Sequence, residues 1–470
     1  MRSPWRAVPR RMSFIILSGS LGLIVFSGCG PAVQHYVLVD AKQAEQRFDE
    51  ADAVVERHKD EYGERNAVLY YMDRGMMLHL AGRYEESNRF FAQAENRIDD
   101  LYTKSITAET GAMLANDNTL PYEGEDFEKV MINVISALNY VCLGQWDEAL
   151  VEARKVDHKL NLFNDKYEKK NVYKQDGLAQ YLSGILYETK NELNDAWISY
   201  RKAYEAYLDY HKNYGTPIPP SLPADLLRVT AALHLSEDHQ DYLKQFPGTP
   251  WITAKELKSR SEVIFISYAG RSPIKEDFFI NAPIPDGKGG SYLLRVALPR
   301  FVPLPNNVGA TEVHLIPVEG GAAGSAGSGP AVSQRTFLAE DITAIAKKNL
   351  EDRVGRITAK AIARAVAKYQ ASRAIRKGVA KKTDNDPLSN FLADLGTNIY
   401  SVVSEQADKR SWRTLPGEIR MTRLAVTPGT YTVAVEYYDP AGGFITRKTF
   451  PSVALKAGEK KFLSYRVLGR

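Results

Sequence analysis

Between positions 75 and 203, seven residues recur three times at the same offsets. Gly75, Leu78, Gly82, Tyr84, Ser87, Phe91 and Ala94 reappear as Ala137, Tyr140, Gly144, Trp146, Ala149, Ala153 and Val156, then as Gly184, Tyr187, Asn191, Leu193, Ala196, Tyr200 and Ala203. A fixed spacing of this kind is the mark of stacked units, each of which buries its apolar face only against its neighbours. The separations, 62 residues from Gly82 to Gly144 and 47 from Gly144 to Asn191, leave room for extra helix or loop between units, so the stack is irregular.

The pattern resembles the tetratricopeptide repeat, in which small residues let two antiparallel helices approach and large ones fill the space between repeats. Helical periodicity runs from about residue 40 to 247, and the segment Pro223 to Phe246 is placed to cap the array. The resemblance implies that the first helix of each pair lines a concave side. Met72, Met76, Met131, Val134, Leu138, Val141, Tyr181 and Ile185 hold those positions here. So apolar a surface does not stay wet. It is expected to receive a partner peptide or helix, or an element of the same chain.

After Trp251 the texture changes. Glu262–Tyr268, Tyr292–Leu298 and Thr311–Val318 are β-branched or aromatic runs between Pro and Gly clusters. A Gly/Ala/Ser segment follows, then strongly helical sequence from Phe337 to Lys382 and again from Pro387 to Asp408. Four more strand-like runs, Ile419–Val426, Tyr431–Tyr438, Phe444–Phe450 and Lys461–Val467, read as a meander. The expected fold is α+β: a tetratricopeptide-like helical array over 40–247, then a sandwich-like β-domain in two parts, 260–319 and 409–470. A linker at 320–336 and a basic helical insertion at 337–408 separate the two parts.

Arg2, Arg6, Arg10 and Arg11 precede an apolar stretch from Met12 to Phe26 that ends in Phe26-Ser27-Gly28-Cys29. That layout resembles a bacterial lipoprotein signal. It implies removal of residues 1–28, acylation of Cys29, a short tether over 29–39, and attachment to a membrane without spanning it. Each buried CH₂ of the acyl chains contributes about 0.8 kcal/mol. Gly30 stands where an inner-membrane retention signal would want Asp, which points to the outer membrane, facing the periplasm. Basic residues number 61 and acidic ones 57, and the four leader arginines account for the whole excess, so the mature chain is neutral and carries no nucleic-acid signature. With the leader gone, Cys142 is the single cysteine besides Cys29, which excludes a structural disulfide within the chain and a cysteine-rich zinc site.

Two further segments, Gly270-Arg271-Ser272-Pro273-Ile274-Lys275-Glu276 and Ala407-Asp408-Lys409-Arg410-Ser411-Trp412-Arg413-Thr414-Leu415-Pro416, complete a resemblance to a family of uncharacterised proteobacterial lipoproteins with tetratricopeptide-like repeats and a C-terminal β-domain. The resemblance implies no activity. Asp408 and Arg410 are expected to pair across a turn that Trp412 anchors in the β-domain core, as a structural latch. No motif for catalysis, metal or cofactor stands out: His234 and His239 are five apart, which turns them away from one another on a helix, and Glu123-Gly124-Glu125-Asp126 reads as helix capping. Charge is more telling. Residues 40–247 carry 37 acidic against 24 basic side chains, whereas 337–382 carry 12 basic against 4 acidic. Arg353, Arg356, Lys360, Arg364 and Lys368 form one helical stripe, suited to anionic lipid, to an anionic partner, or to the acidic repeats of the same chain. The expected role is a protein-binding scaffold or adaptor of the cell envelope, without enzymatic activity. The alternative is an enzyme or glycan-binding module in the β-domain acting on a cell-wall component.

Overall fold

The computed structural model describes residues 34–107, 120–166, 172–285, 291–318, 331–380 and 407–468. Cys29, the leader and residues 387–406 of the helix expected over 387–408 lie outside them, as do residues 320–330 of the linker; 407 and 408 are not helical.

Ten helices build five antiparallel hairpins: α1 Gln34–Ala44 with α2 Phe48–Arg57, then, past a short α3 Lys59–Tyr62, α4 Ala67–Leu80 with α5 Tyr84–Thr107. The others are α6 Asp126–Leu143 with α7 Trp146–Lys166, α8 Gly177–Thr189 with α9 Leu193–Tyr214, and α10 Leu222–Ala232 with α11 Ser236–Gln245. Each hairpin turns on one left-handed residue: Gln46, Gly82, Gly144, Asn191 and His234 have φ of 60°, 77°, 73°, 63° and 57°. The amide after each returns to the carbonyl five residues back, from Arg47 to Lys42 through Leu235 to Thr230, which closes the first helix of the pair. The first unit position faces the sixth. A Cβ at Gly75 would overlap the ring of Phe91, and one at Gly184 the ring of Tyr200. Where the sixth position is Ala153, the first is Ala137. The array thus includes residues 34–39, ahead of the expected 40, and its first hairpin is one the repeat pattern did not mark, while the segment placed to cap it folds as the last hairpin.

After α12 Ala254–Ser259 come β1 Ser261–Ala269, β2 Ile274–Pro285, β3 Ser291–Val302, β4 Ala310–Pro317, β5 Val332–Arg335 and β6 Phe337–Asp341. Then follow α13 Ile342–Ala380, β7 Glu418–Val426, β8 Gly429–Tyr438, β9 Phe444–Leu455 and β10 Lys460–Val467. One sheet has the order β10-β1-β7-β6, another β5-β4-β8-β9, and β2 pairs β3 as a separate hairpin. Early strands pair late ones: β1 lies parallel to β10 and antiparallel to β7, and β4 is antiparallel to β8. The expected four-strand meander does not form. β8 and β9 are a hairpin, but β7 and β10 belong to the other sheet, because Thr427-Pro428 carries the chain across the sandwich and Pro428 has no amide to continue a ladder. Two predicted boundaries also move. The linker region ends in strand β5, and the basic insertion opens with strand β6 before its helix starts.

All nine residues of β1 are buried. Their alternation splits them between two cores: Val263 and Phe265 meet Val433, Val435 and Tyr437 of the facing sheet, while Ile264, Ile266 and Tyr268 enter the core of the helical array. The β10-β1-β7-β6 sheet is therefore the middle of three layers, with helices on one face and the second sheet on the other.

Candidate functional site

The concave positions read from the repeats are brought together, and the chain itself covers them. Met72, Met76, Tyr181 and Ile185 are 0 % exposed, Met131 and Val134 1 %, Leu138 2 % and Val141 3 %. They share one core with Ile264, Ile266, Phe337, Ile419 and Met421 of the middle sheet. As a groove for a partner this surface is corrected: no partner reaches it without removing the sheet. Of the two occupants the sequence left open, the chain's own element holds the place.

Polar groups cross this seam in two clusters. The first surrounds the predicted latch. Asp408 accepts two guanidinium bonds from Arg410, at 2.9 and 2.7 Å, as expected. Arg410 also donates to the Leu120 carbonyl at 2.9 Å and lies over the Tyr122 ring. Trp412, 0 % exposed, is not in the core of the β-sandwich. It enters the helical core, edge-on to Phe91 at 5.7 Å, because the 407–417 segment runs along the array before β7 begins. Its amide donates to Glu128 at 2.6 Å and its indole donates to Thr414 at 2.9 Å, which in turn donates to Asp73 at 2.8 Å. Tyr36 and Tyr62 donate to the other oxygen of Asp73, each at 2.8 Å. Burial pushes the Asp73 carboxyl up to about 6, and burial with the neighbouring Glu125 charge pushes Glu128 up to about 7. Glu125 is held well below the carboxylate range by Lys275 and Arg353, against the opposing effect of its burial. Glu125 and Glu128 form the capping box of α6, the role expected for that acidic stretch.

The second cluster joins the array's end to the sheet. Arg423 of β7 donates to Asp225 at 2.6 Å, to the Tyr181 hydroxyl at 3.0 Å and to Glu262 of β1 at 2.8 Å. Arg228 makes two bonds to Glu188, at 2.6 and 2.9 Å, and a third to Asp225. Lys460 pairs with Glu262. Three cations meet three carboxylates, all buried, an arrangement worth its desolvation only while every partner is present. Asp225, Arg228, Glu262 and Arg423 line the floor of a cleft of about 360 Å³ with Trp251 and Ile252 on its wall.

The basic stripe is divided by the fold. Arg353 pairs with Glu125 and, at 3.6 Å, with Asp126, so the helix docks on an acidic edge of the repeats. Arg364 is buried at 5 % exposure, whereas Arg356 and Lys360 face solvent. The Lys368 side chain lies outside the described residues. Among the described residues no group of His, Cys, Asp and Glu is arranged to hold a metal, and no helix is long and apolar enough to cross a membrane. His239 bonds Thr230 at 3.1 Å.

Sequence reasoning missed Asp73, Glu128, Glu188, Asp225, Glu262 and Arg423. The single trace of the first two was a carboxylate inside an apolar helical stretch, Met72-Asp73 and Phe127-Glu128.

No family profile matches the chain, and no curated protein matches its sequence. Solved structures similar to part of it are helical repeat proteins. BtubC (BKLC) from P. vanneervenii is 14 % identical, covering 47 % of this chain and 78 % of its own with a TM-score of 0.32. A Podosopora anserina putative kinesin light chain with nearly identical TPR-like repeats is 14 % identical, covering 45 % and 91 % with a TM-score of 0.28.

Proposed function

We propose that this chain is a lipid-anchored scaffold of the cell envelope, held through Cys29 in the outer membrane and facing the periplasm, that binds a protein partner and carries out no chemistry of its own. The observation that carries the scaffold reading is the sealing of the array by its own sheet, which gives helices and strands one shared core and leaves recognition to the outer surfaces. The carboxylates nearest Trp412 support it: Asp73 and Glu128 are closed in by hydrogen bonds in the core, without the open cleft that a cell-wall hydrolase needs beside its acid and base.

Anchoring finds support in α1, which begins five residues after Cys29. Val37 and Leu38 are 66 % and 51 % exposed there while Tyr36 and Val39 are buried, so this helix presents an apolar outer edge beside the tether. Partner recognition falls to the β2–β3 hairpin and the helix it packs on. Phe278 and Phe279 are 47 % and 45 % exposed, each under an arginine, and Arg356 and Lys360 are exposed on α13. Aromatic side chains among arginines are the composition of protein interfaces, and an acidic, partly apolar partner surface complements them.

The cleft beside Trp251 favours a second reading, a ligand-binding module, since an aromatic wall over a polar floor suits a glycan.

Mass analysis of the protein from cells, with fractionation of Cys29→Ser, tests the anchor: an acylated N-terminal Cys29 and release of the variant from membranes are expected, and an unmodified wild-type chain in the soluble fraction would overturn it. A photo-crosslinking phenylalanine analogue at Phe278 tests the scaffold. Discrete adducts with another envelope protein are expected; none from Phe278 or Phe279 would count against it.

A further inference from the structure

The two segments that set this sequence apart, Gly270–Glu276 and Ala407–Pro416, converge on one place, and a third arginine joins them there. The Ser272 amide and the Arg466 guanidinium both donate to the Leu415 carbonyl, at 2.9 and 3.3 Å. Arg466, on β10 opposite Tyr268, faces the helical layer, since the next residue, Val467, belongs to the sandwich core. From the array, α1 closes the site. Gln46 donates to the Arg466 carbonyl at 2.8 Å, and Asp40 lies 3.5 Å from Arg271. Arg413 stacks over Tyr36 of the same helix at 4.6 Å.

Charge and hydrogen bonding are both out of balance at this point. Asp40 is the carboxylate that acts on all three of Arg271, Arg413 and Arg466. Arg466 is 1 % exposed, and its Nε and Nη1 have no hydrogen-bond partner among the described residues. The same holds for the hydroxyl of Ser272 and for both amide atoms of Gln43, which is one turn beyond Asp40 on α1 and fully buried, whereas Nε of Arg271 has the Asp40 carboxylate at 3.5 Å. Elsewhere in this interior, arginines have carboxylates beside them: Arg228 has Glu188 and Asp225, Arg74 has Asp52, and Arg423, whose Nε is likewise without a hydrogen bond, has Asp225 and Glu262. Burial with too little opposing charge lowers Arg466 to about 9. A desolvated guanidinium with two unmet N–H groups is costly unless an anion joins it.

We propose that Arg466, Arg271, Ser272 and Gln43 form a binding site for a phosphate-class oxyanion, with Arg413 adding positive charge and Asp40 setting the orientation of Arg271. Several fixed donors converging on a tetrahedral anion match the fork geometry of guanidinium groups. The exposed part of Arg271, 34 % of its side chain, is the way in. Because α1 follows the tether, the oxyanion comes either from solution or from a lipid headgroup at the membrane that holds Cys29. The site makes no use of the partner surface on the β2–β3 hairpin, and its failure leaves that reading standing.

The test is thermal unfolding of the full chain in neutral detergent, titrated with inorganic phosphate against chloride at matched ionic strength. Arg466→Met and Arg271→Gln run beside it; the first removes a buried charge at similar length and is expected to fold. Phosphate is expected to raise the wild-type midpoint in a saturable way, with affinity weakened by about tenfold or more in each variant. A second arm replaces phosphate with vesicles of phosphatidic acid in phosphatidylcholine: a rise there alone, lost in Arg466→Met, assigns the oxyanion to a headgroup. Equal midpoints in phosphate and chloride together with no response to phosphatidic acid overturn the proposal. So does a phosphate response that both variants retain unchanged.

Discussion

His234 and Asn191 carry side chains where Gly82 and Gly144 carry none, although all four turn their hairpins with positive φ. A Cβ in left-handed backbone costs about 1 kcal/mol, partly offset by the freedom glycine loses on folding. His234 is exposed, so His234→Gly is expected to raise stability by about 0.5 kcal/mol, and His234→Val to lower it, in urea unfolding. Gly184→Ala is expected to cost about 1–3 kcal/mol, because the new methyl meets the buried Tyr200 ring, whose hydroxyl is held by Glu188 at 2.9 Å. Glu128 sets a pH dependence. Its carboxyl moves from 4.5 to about 7 on folding, so between those values the folded chain holds a proton that the unfolded chain releases, and stability falls as pH rises. Unfolding free energies at pH 5 and pH 8 are expected to show the wild type losing on the order of 2–3 kcal/mol more than Glu128→Gln over that range. Equal losses would contradict the burial assigned to Glu128.

At the scale of elements, the segment 407–417 joins the layers. Trp412→Ala is expected to destabilise the chain by about 3–5 kcal/mol and to loosen the α4–α6 region most, read by amide exchange, since the indole touches Phe91 and its amide caps Glu128. The sequence foretold Trp412 as an anchor but placed it in the wrong core, because an aromatic beside a strand reads as sandwich packing until the path of the chain before β7 is known. Three hairpins were legible because Gly82, Gly144 and Asn191 punctuate small residues at fixed offsets. The first was not, and the last was read as a capping helical segment without its turn, since Gln46 and His234 take the left-handed position without the usual residue type; Gln46 is further used to hold the Arg466 carbonyl. The strand-like run Tyr431–Tyr438 was legible, and its alternate residues Tyr431, Val433, Val435 and Tyr437 are all buried. Strand partners were not, because a run such as β1 is apolar on both faces and its pattern does not say which neighbour each face meets. The ion clusters were hidden for a related reason: Arg423 and Asp225 are nearly two hundred residues apart, at 198 positions, and meet only when the sheet closes the array.

Over the whole molecule, an excess of acidic side chains on the repeats and of basic ones on α13 is partly settled within the chain, through Arg353 and Lys275 on Glu125. Arg353→Glu is expected to free the start of α13, seen as faster proteolysis between residues 342 and 380, with little change in the array. Helices that in an open repeat protein would cradle a partner are here the first layer of a three-layer body, and the outer surfaces and the tether carry the proposed role. Photo-methionine incorporated in living cells tests that claim at Met72, Met76 and Met131, because it preserves their size in the packed core. The account predicts crosslinks from these positions to peptides within 261–269 and 418–426 of the same chain. Crosslinks from them to another protein would mean that the concave face is open in the cell, and would contradict it.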